Sequence, residues 1–121
     1  MEYSATSKYV RISTRKARLV VDSIRHMKPE VALLYLAALP KSAAEPMVKV
    51  LRSALANAKE KQVKTDGLTF KTIEVMGGPV MKRWHAVSRG MAHSFKKRMT
   101  HIRIVLTDQN VNTKDIRKKR R

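Results

Sequence analysis

The chain has 121 residues and no cysteine, which excludes a disulfide framework and a thiolate metal site. Its 27 Lys and Arg residues outweigh 9 Asp and Glu residues, giving a net charge of +18. A positive charge of this size opposes compaction and favours a polyanionic partner, nucleic acid first and an anionic membrane surface second. The membrane is the weaker option, because the longest apolar run, 31–39, ends at Pro40 and spanning a bilayer takes roughly 20 residues.

The N-terminal part of the chain predicts a strand followed by a helix. Residues 5–12 alternate loosely and predict a short strand, and Ser13 is a good N-cap for a helix over about 14–26. The apolar residues of this helix recur at helical spacing and predict a core-facing stripe: Ala17, Val20, Val21 and Ile24. The opposite face carries Arg15, Arg18, Asp22 and Arg25, so it is a candidate anion-binding face.

Two further helices are predicted before residue 60. Pro29 suits the first turn of a helix over about 29–39, whose apolar surface predicts burial on more than one side. The sequence Ser-Ala-Ala-Glu at 42–45 has the capping-box pattern, which predicts Ser42 as the N-cap of a third helix that runs to about 60. The inner stripe of that helix is predicted to be Met47, Val50, Leu51, Ala54 and Ala58.

The remainder of the chain is β-like. Residues 68–76 predict a strand with a bulge, because the apolar alternation slips between Phe70 and Ile73. Residues 101–107 predict another strand, with Ile102, Ile104 and Leu106 on one face. The sum is an α+β fold in which three helices pack on a small antiparallel sheet.

Residues 77–99, between these two strands, contain eight Lys, Arg or His residues and no acid. The segment is either a disordered loop or a hairpin that extends beyond the sheet, with Gly90 at a tight tip. As a hairpin with arms of about 11 residues it would project about 35 Å at about 3.3 Å per residue. A core of this size cannot cover that length, so we expect another molecule to order it.

The charge between the strands favours phosphate as the partner. Seven Lys and Arg residues and no carboxylate lie between Val75 and Thr107, and one-signed charge is typical of a phosphate-binding surface. Trp84 and Phe95 either stack on exposed bases or pack across the hairpin. The tail from Lys114 to Arg121 carries six cations in eight residues, which suits a phosphate backbone.

Five stretches resemble the large-subunit ribosomal protein twenty-two family and occur in that family's order: YVRISTRKARLVVDSIR (9–25), KSAAEPMVKVLRSALANA (41–58), GGPVMKRW (77–84), SRGMA (88–92) and KKRMTHIRIVL (96–106). The resemblance implies three helices on a three-stranded antiparallel sheet with a long protruding β-hairpin. It implies a structural constituent of the large ribosomal subunit that binds large-subunit (23S-type) ribosomal RNA and assists assembly. The hairpin would help to line the nascent-peptide exit tunnel. Further partners would be neighbouring large-subunit proteins and the nascent polypeptide.

The resemblance and the charge pattern together predict the site residues. The tunnel-lining tip would be Val87, Ser88, Arg89, Gly90 and Met91. Asn57 matches a family Asn that makes either a specific polar contact or a structural hydrogen bond. The predicted RNA-binding residues are Lys8, Arg11, Arg15, Lys16, Arg18, Arg25, Lys82, Arg83, Trp84, His85, Arg89, Lys96, Lys97, Arg98, His101, Lys118, Lys119, Arg120 and Arg121.

The predicted organisation is a single globular domain over 1–107, which includes the hairpin at about 77–100, and a basic tail over 108–121. The resemblance implies location in the cytoplasmic ribosome, with an organellar ribosome as the alternative. We expect no cofactor, no membrane and no homo-oligomer.

Two other functions are weighed against this one. His85, His93 and His101 are evenly spaced, but the surrounding cations would repel a metal ion, so we expect neither a metal site nor an enzyme. The other alternative is a free architectural DNA-binding protein that inserts basic arms into a groove.

Overall fold

The computed structural model describes residues 1–108. It contains three helices and a three-stranded antiparallel sheet of order β1-β3-β2, which confirms the predicted α+β fold. The elements in chain order are β1 (Glu2–Val10), α1 (Thr14–Ile24), α2 (Pro29–Ala38), α3 (Ala44–Glu60), β2 (Thr69–Ala86) and β3 (Ala92–Thr107). Within residues 1–108, no helix is both long enough and apolar enough to cross a membrane.

The core lies between one face of the sheet and the helices. Ile102, Ile104 and Leu106 of β3 are fully buried on this face, as their alternation predicts. The predicted stripes of α1 and α3 are buried in the same cluster, so periodicity identified both inner faces correctly.

The slip in the apolar pattern of β2 is a β-bulge. Phe70 pairs with Leu106 and Thr72 with Val105, so Lys71 is the extra residue on β2. The bulge returns Ile73 to the inner face, opposite Ile104, and confirms the prediction.

The burial predicted for α2 is wrong on its outer side. Ala32 and Leu36 are buried, whereas Val31 and Leu34 are 53% and 72% exposed. Because α2 packs along one stripe, which Pro29 and the partly buried Leu33 complete, Val31 and Leu34 on the opposite side stay exposed.

The predicted N-cap of α3 is also wrong, since Ala43 and not Ser42 is the N-cap. The helix begins at Ala44, because a turn in which the Ala44 N–H donates to the Lys41 carbonyl places Ser42 outside the helix. Glu45 does not close a capping box and instead accepts a hydrogen bond from Lys49 Nζ at 2.7 Å.

Ser13 is the N-cap of α1 in an extended conformation, but its side chain makes no capping hydrogen bond.

The first strand differs from its predicted bounds of 5–12. It begins at Glu2 and ends at Val10, because Tyr9 has a positive φ of 59° and the Ile12 N–H donates to the Val10 carbonyl at 2.8 Å. The outer edge of β1 is tied to α3, since Asn57 Nδ2 donates to the Ser4 carbonyl at 3.0 Å. Of the two alternatives given for Asn57, the structure therefore shows the structural hydrogen bond.

Candidate nucleic-acid interface

The segment between the two strands is a hairpin. β2 and β3 stay paired from Val80 opposite Arg98 to Ala86 opposite Ala92. Every residue from 82 to 94 is exposed, so the body of the protein does not cover this part of the hairpin. The disordered-loop alternative is excluded, and the hairpin prediction is confirmed.

One face of the hairpin brings cations together around an exposed indole. Directly opposed residues point to the same side of a sheet, so Lys82 and Lys96 face each other. The next pair toward the body on this same face contains Arg98. The next pair toward the tip on this face contains Trp84, which is 69% exposed. Like charges placed directly opposite destabilise a strand pair, so this face is arranged to receive an anion.

The other face is partly packed. The rings of His85 and Phe95 lie 5.4 Å apart between centroids, and Lys97 Nζ lies 5.6 Å from the Phe95 centroid. Arg83, opposite Phe95, donates to the Lys82 carbonyl at 2.7 Å and contacts the Met81 sulfur. Of the two aromatic residues, Phe95 packs within the hairpin whereas Trp84 projects from it.

The tip is a tight turn over Ser88–Gly90. Arg89 and Gly90 both have positive φ, 60° and 68°, which suits glycine at the second position. The Val87 N–H donates to the Met91 carbonyl at 2.8 Å and closes the turn. The five predicted tip residues are therefore together and all exposed.

The N-terminal cations lie beside the base of the hairpin. Lys8, Arg11, Arg15 and Lys16 are exposed at the end of β1 and the start of α1. Arg18 donates from Nη2 to the Val75 carbonyl at 3.3 Å, which holds it against β2 just before the hairpin leaves the body.

Two more of the predicted residues have partners within the protein. Arg25 forms an ion pair with Asp22 at 3.2 Å on α1. His101 Nδ1 accepts a hydrogen bond from the Tyr9 N–H at 3.0 Å. The predicted tail residues Lys118, Lys119, Arg120 and Arg121 lie outside the described residues.

The carboxylates of the described chain neutralise cations on the body and not on the hairpin. Lys71 lowers the pKa of Glu2 mainly by donating a hydrogen bond to its carboxylate, and Lys49 lowers the pKa of Glu45 in the same way. Arg103 pairs with Glu74 at 3.7 Å. Residues 80–98, all of which are described, contain no carboxylate, so their cations have no counter-charge within the hairpin.

The geometry is that of a charged surface. Among residues 1–108, no cluster of three or more His, Asp or Glu side chains could hold a metal ion. The sequence Gly-Gly-Pro at 77–79 predicts a bend at the base of the hairpin, but sequence reasoning missed Tyr9 and Thr100 there. The available signal was Thr100, which is in phase with the buried Ile102 and Ile104.

Comparison with known proteins finds matches along most of the chain. Residues 5–107 match the family described as Ribosomal protein L22p/L17e. The chain is 43% identical over 113 residues to the large ribosomal subunit protein uL22 of Opitutus terrae, covering 93% of this chain and 100% of that protein. The protein of the same name from Syntrophus aciditrophicus is 46% identical over 110 residues, with 90% and 100% covered. That of Mycoplasma capricolum subsp. capricolum is 44% identical over 110 residues, with 90% and 99% covered.

Proposed function

Because the chain belongs to the ribosomal protein L22p/L17e family, we propose that it binds large-subunit ribosomal RNA through its hairpin and the cations at the hairpin base. The family is a structural component of the large ribosomal subunit and is not an enzyme. The function proposed here is therefore binding and assembly, without turnover.

The observation that carries the proposal is the unpaired charge on both faces of the hairpin. Lys82 and Lys96 oppose each other on one face, and Arg83 and Lys97 lie on the other. A hairpin with cations on both faces and no carboxylate is stabilised when polyanion surrounds it. Trp84 adds an exposed aromatic surface on which an unpaired base can stack.

The proposal extends to the position of the hairpin in the subunit. The hairpin passes between RNA segments, and its tip, Val87 to Met91, contributes to the wall of the nascent-peptide tunnel. The tip carries one cation, Arg89, among small or apolar residues, so it can contact a passing polypeptide without holding it by charge. Residues 1–107 act as one domain with neighbouring large-subunit proteins as further partners, in the cytoplasmic ribosome.

Charge reversal on the hairpin tests this proposal. Arg83→Glu combined with Arg98→Glu should weaken binding to large-subunit ribosomal RNA while leaving the helical circular dichroism unchanged, because both residues lie outside the core. The slope of log affinity against log salt should fall by about 1.4 to 1.8, since each lost phosphate contact removes about 0.7 to 0.9. Titration of labelled RNA at several salt concentrations measures both quantities.

The matched control reverses two exposed cations on α3, Arg52→Glu with Lys59→Glu, and makes the same change in net charge. This pair should change the slope much less. Equal losses from both pairs would mean that affinity follows total charge and not the hairpin. A duplex DNA of equal length serves as competitor, and preference for the duplex would favour the architectural DNA-binding alternative.

A further inference from the structure

Both edge strands become irregular at the level where the hairpin leaves the body. The pairing of β1 with β3 shifts between Ser7 and Val10, opposite Thr100 to Ile102. The pairing of β2 with β3 shifts between Gly77 and Val80, opposite Arg98 to Thr100, so the two irregularities meet at Thr100. Two bulges flanking one point of the central strand mark a place where the sheet changes direction.

The side chain of His101 contacts both irregular strands. On the β1 side, its Nδ1 accepts the Tyr9 N–H at 3.0 Å, and the two rings meet edge to face with centroids 4.9 Å apart. Tyr9 has a φ of 59°, which is unfavourable for a residue with a bulky side chain. The hydrogen bond to His101 therefore stabilises a backbone conformation that Tyr9 does not favour by itself.

On the β2 side, the imidazole lies against Gly78. A Cβ placed on Gly78 would lie 3.2 Å from His101 Cε1 and 3.2 Å from the Met99 carbonyl oxygen. Both distances are shorter than normal contacts, and the carbonyl belongs to the backbone and cannot turn away. Glycine at this position lets β2 approach the ring closely.

Thr100 adds a second link to the N-terminal part of the chain. Its side chain is fully buried, and its Oγ1 donates to the Ile12 carbonyl at 2.5 Å. The turn after β1 is thereby joined to β3 one residue away from His101.

We propose that His101 is a positioning residue that fixes the direction in which the hairpin leaves the body. It does so from the central strand, by accepting the Tyr9 N–H on one side and packing on Gly78 on the other. Its Nδ1 is used within the protein, and the contribution to RNA binding proposed here is made through hairpin geometry. The role of His101 in hairpin direction does not depend on the proposed function. Only the benefit of a fixed direction rests on it, because a fixed direction lets the hairpin cations contact a fixed path of phosphates.

A distance measurement on the free protein tests the proposal without any RNA. The chain has no cysteine, so Ser53→Cys on α3 and Ser94→Cys on the hairpin, both exposed sites, can carry spin labels in the full chain. Electron–electron double resonance then gives the distribution of distances between body and hairpin. His101→Ala should broaden this distribution relative to the labelled parent chain, whereas His101→Asn should keep the parent's width, because the Asn Oδ1 can accept the Tyr9 N–H where Nδ1 does.

An unchanged distribution in a folded His101→Ala chain overturns the proposal. Broadening in both the Ala and the Asn variants overturns the role of the Nδ1 acceptor. If His101→Ala does not fold, Gly78→Ala replaces it, and a shifted or broadened distribution supports the proposal while an unchanged one overturns it. Failure of RNA binding would leave these results intact, because they are obtained on the free protein.

Discussion

Tyr3 on β1 has a hydroxyl that is buried without a hydrogen-bond partner among the described residues. Burial raises the pKa of this hydroxyl above its ordinary value of 10.0, and the nearby charge of Asp108 raises it further. The unfolded chain therefore ionises first as the pH rises, and the stability of the fold decreases from pH 10.0 upward.

Tyr3→Phe removes both the unpaired hydroxyl and this ionisation. We expect an unchanged or higher urea midpoint at neutral pH, because an unsatisfied buried polar group is lost, and a smaller decrease above pH 10.0. Urea unfolding followed by circular dichroism at both pH values measures this. Tyr35→Phe, at an exposed position, is the control and should leave the neutral midpoint unchanged. A lower neutral midpoint for Tyr3→Phe would show that the hydroxyl has a stabilising partner.

Single residues were predictable where charge alone decides their position. The cations of the hairpin are exposed as expected, because a charged side chain is rarely buried unless a partner compensates its charge. The contact of His101 was not predictable, because its partner is the backbone N–H of Tyr9, 92 positions away. The unusual φ of Tyr9 leaves no mark on the residue type, and the sequence Gly-Gly-Pro at 77–79 indicated only a bend.

The helix α2 permits a matched pair of substitutions within one element. Leu36 is 1% exposed and packs in the core, whereas Leu34, on the outer side, is 72% exposed. Leu36→Ala should lower the free energy of unfolding by about 2 to 5 kcal/mol, because it leaves a cavity. Leu34→Ala should change it by less than about 0.5 kcal/mol, as is usual for a surface position. Urea unfolding of both variants provides the comparison, and similar losses would mean that the outer face of α2 is also packed.

The buried face was predicted better for elements with one polar and one apolar side than for elements that are apolar all round. In α1 and α3 the polar residues mark the outer face, so spacing alone identifies the buried stripe. In β2 the slip of the apolar alternation after Phe70 predicted a bulge, and Lys71 is the extra residue of that bulge. The helix α2 is apolar nearly all round, so its sequence does not distinguish the packed side from the free one. The capping pattern at Ser42 was also insufficient to predict the helix N-cap, because the turn between Lys41 and Ala44 overrides it.

For the molecule as a whole, the separation of charge is the feature that composition could not reveal. A net charge of +18 is compatible with cations spread evenly or gathered in one place. In the described chain, the Glu2, Glu45 and Asp22 carboxylates pair with cations of the body. Residues 80–98 carry six Lys and Arg residues and no carboxylate, so the repulsion within the hairpin is unrelieved, but it lies outside the core.

The same separation predicts how the hairpin behaves before and after assembly. Between Val80 and Arg98 the hydrogen bonds join two strands only, and residues 82–94 are exposed. An isolated two-stranded ribbon is marginal in water, so these amides should exchange rapidly in the free protein and become protected in the large subunit. Amides of Ile102 to Leu106, which lie between two strands in the core, should exchange slowly in both states and serve as the internal control. Mass-spectrometric hydrogen exchange on the free chain and on isolated subunits makes the comparison. Equal protection of the hairpin in both states would mean that the protein orders its hairpin without RNA.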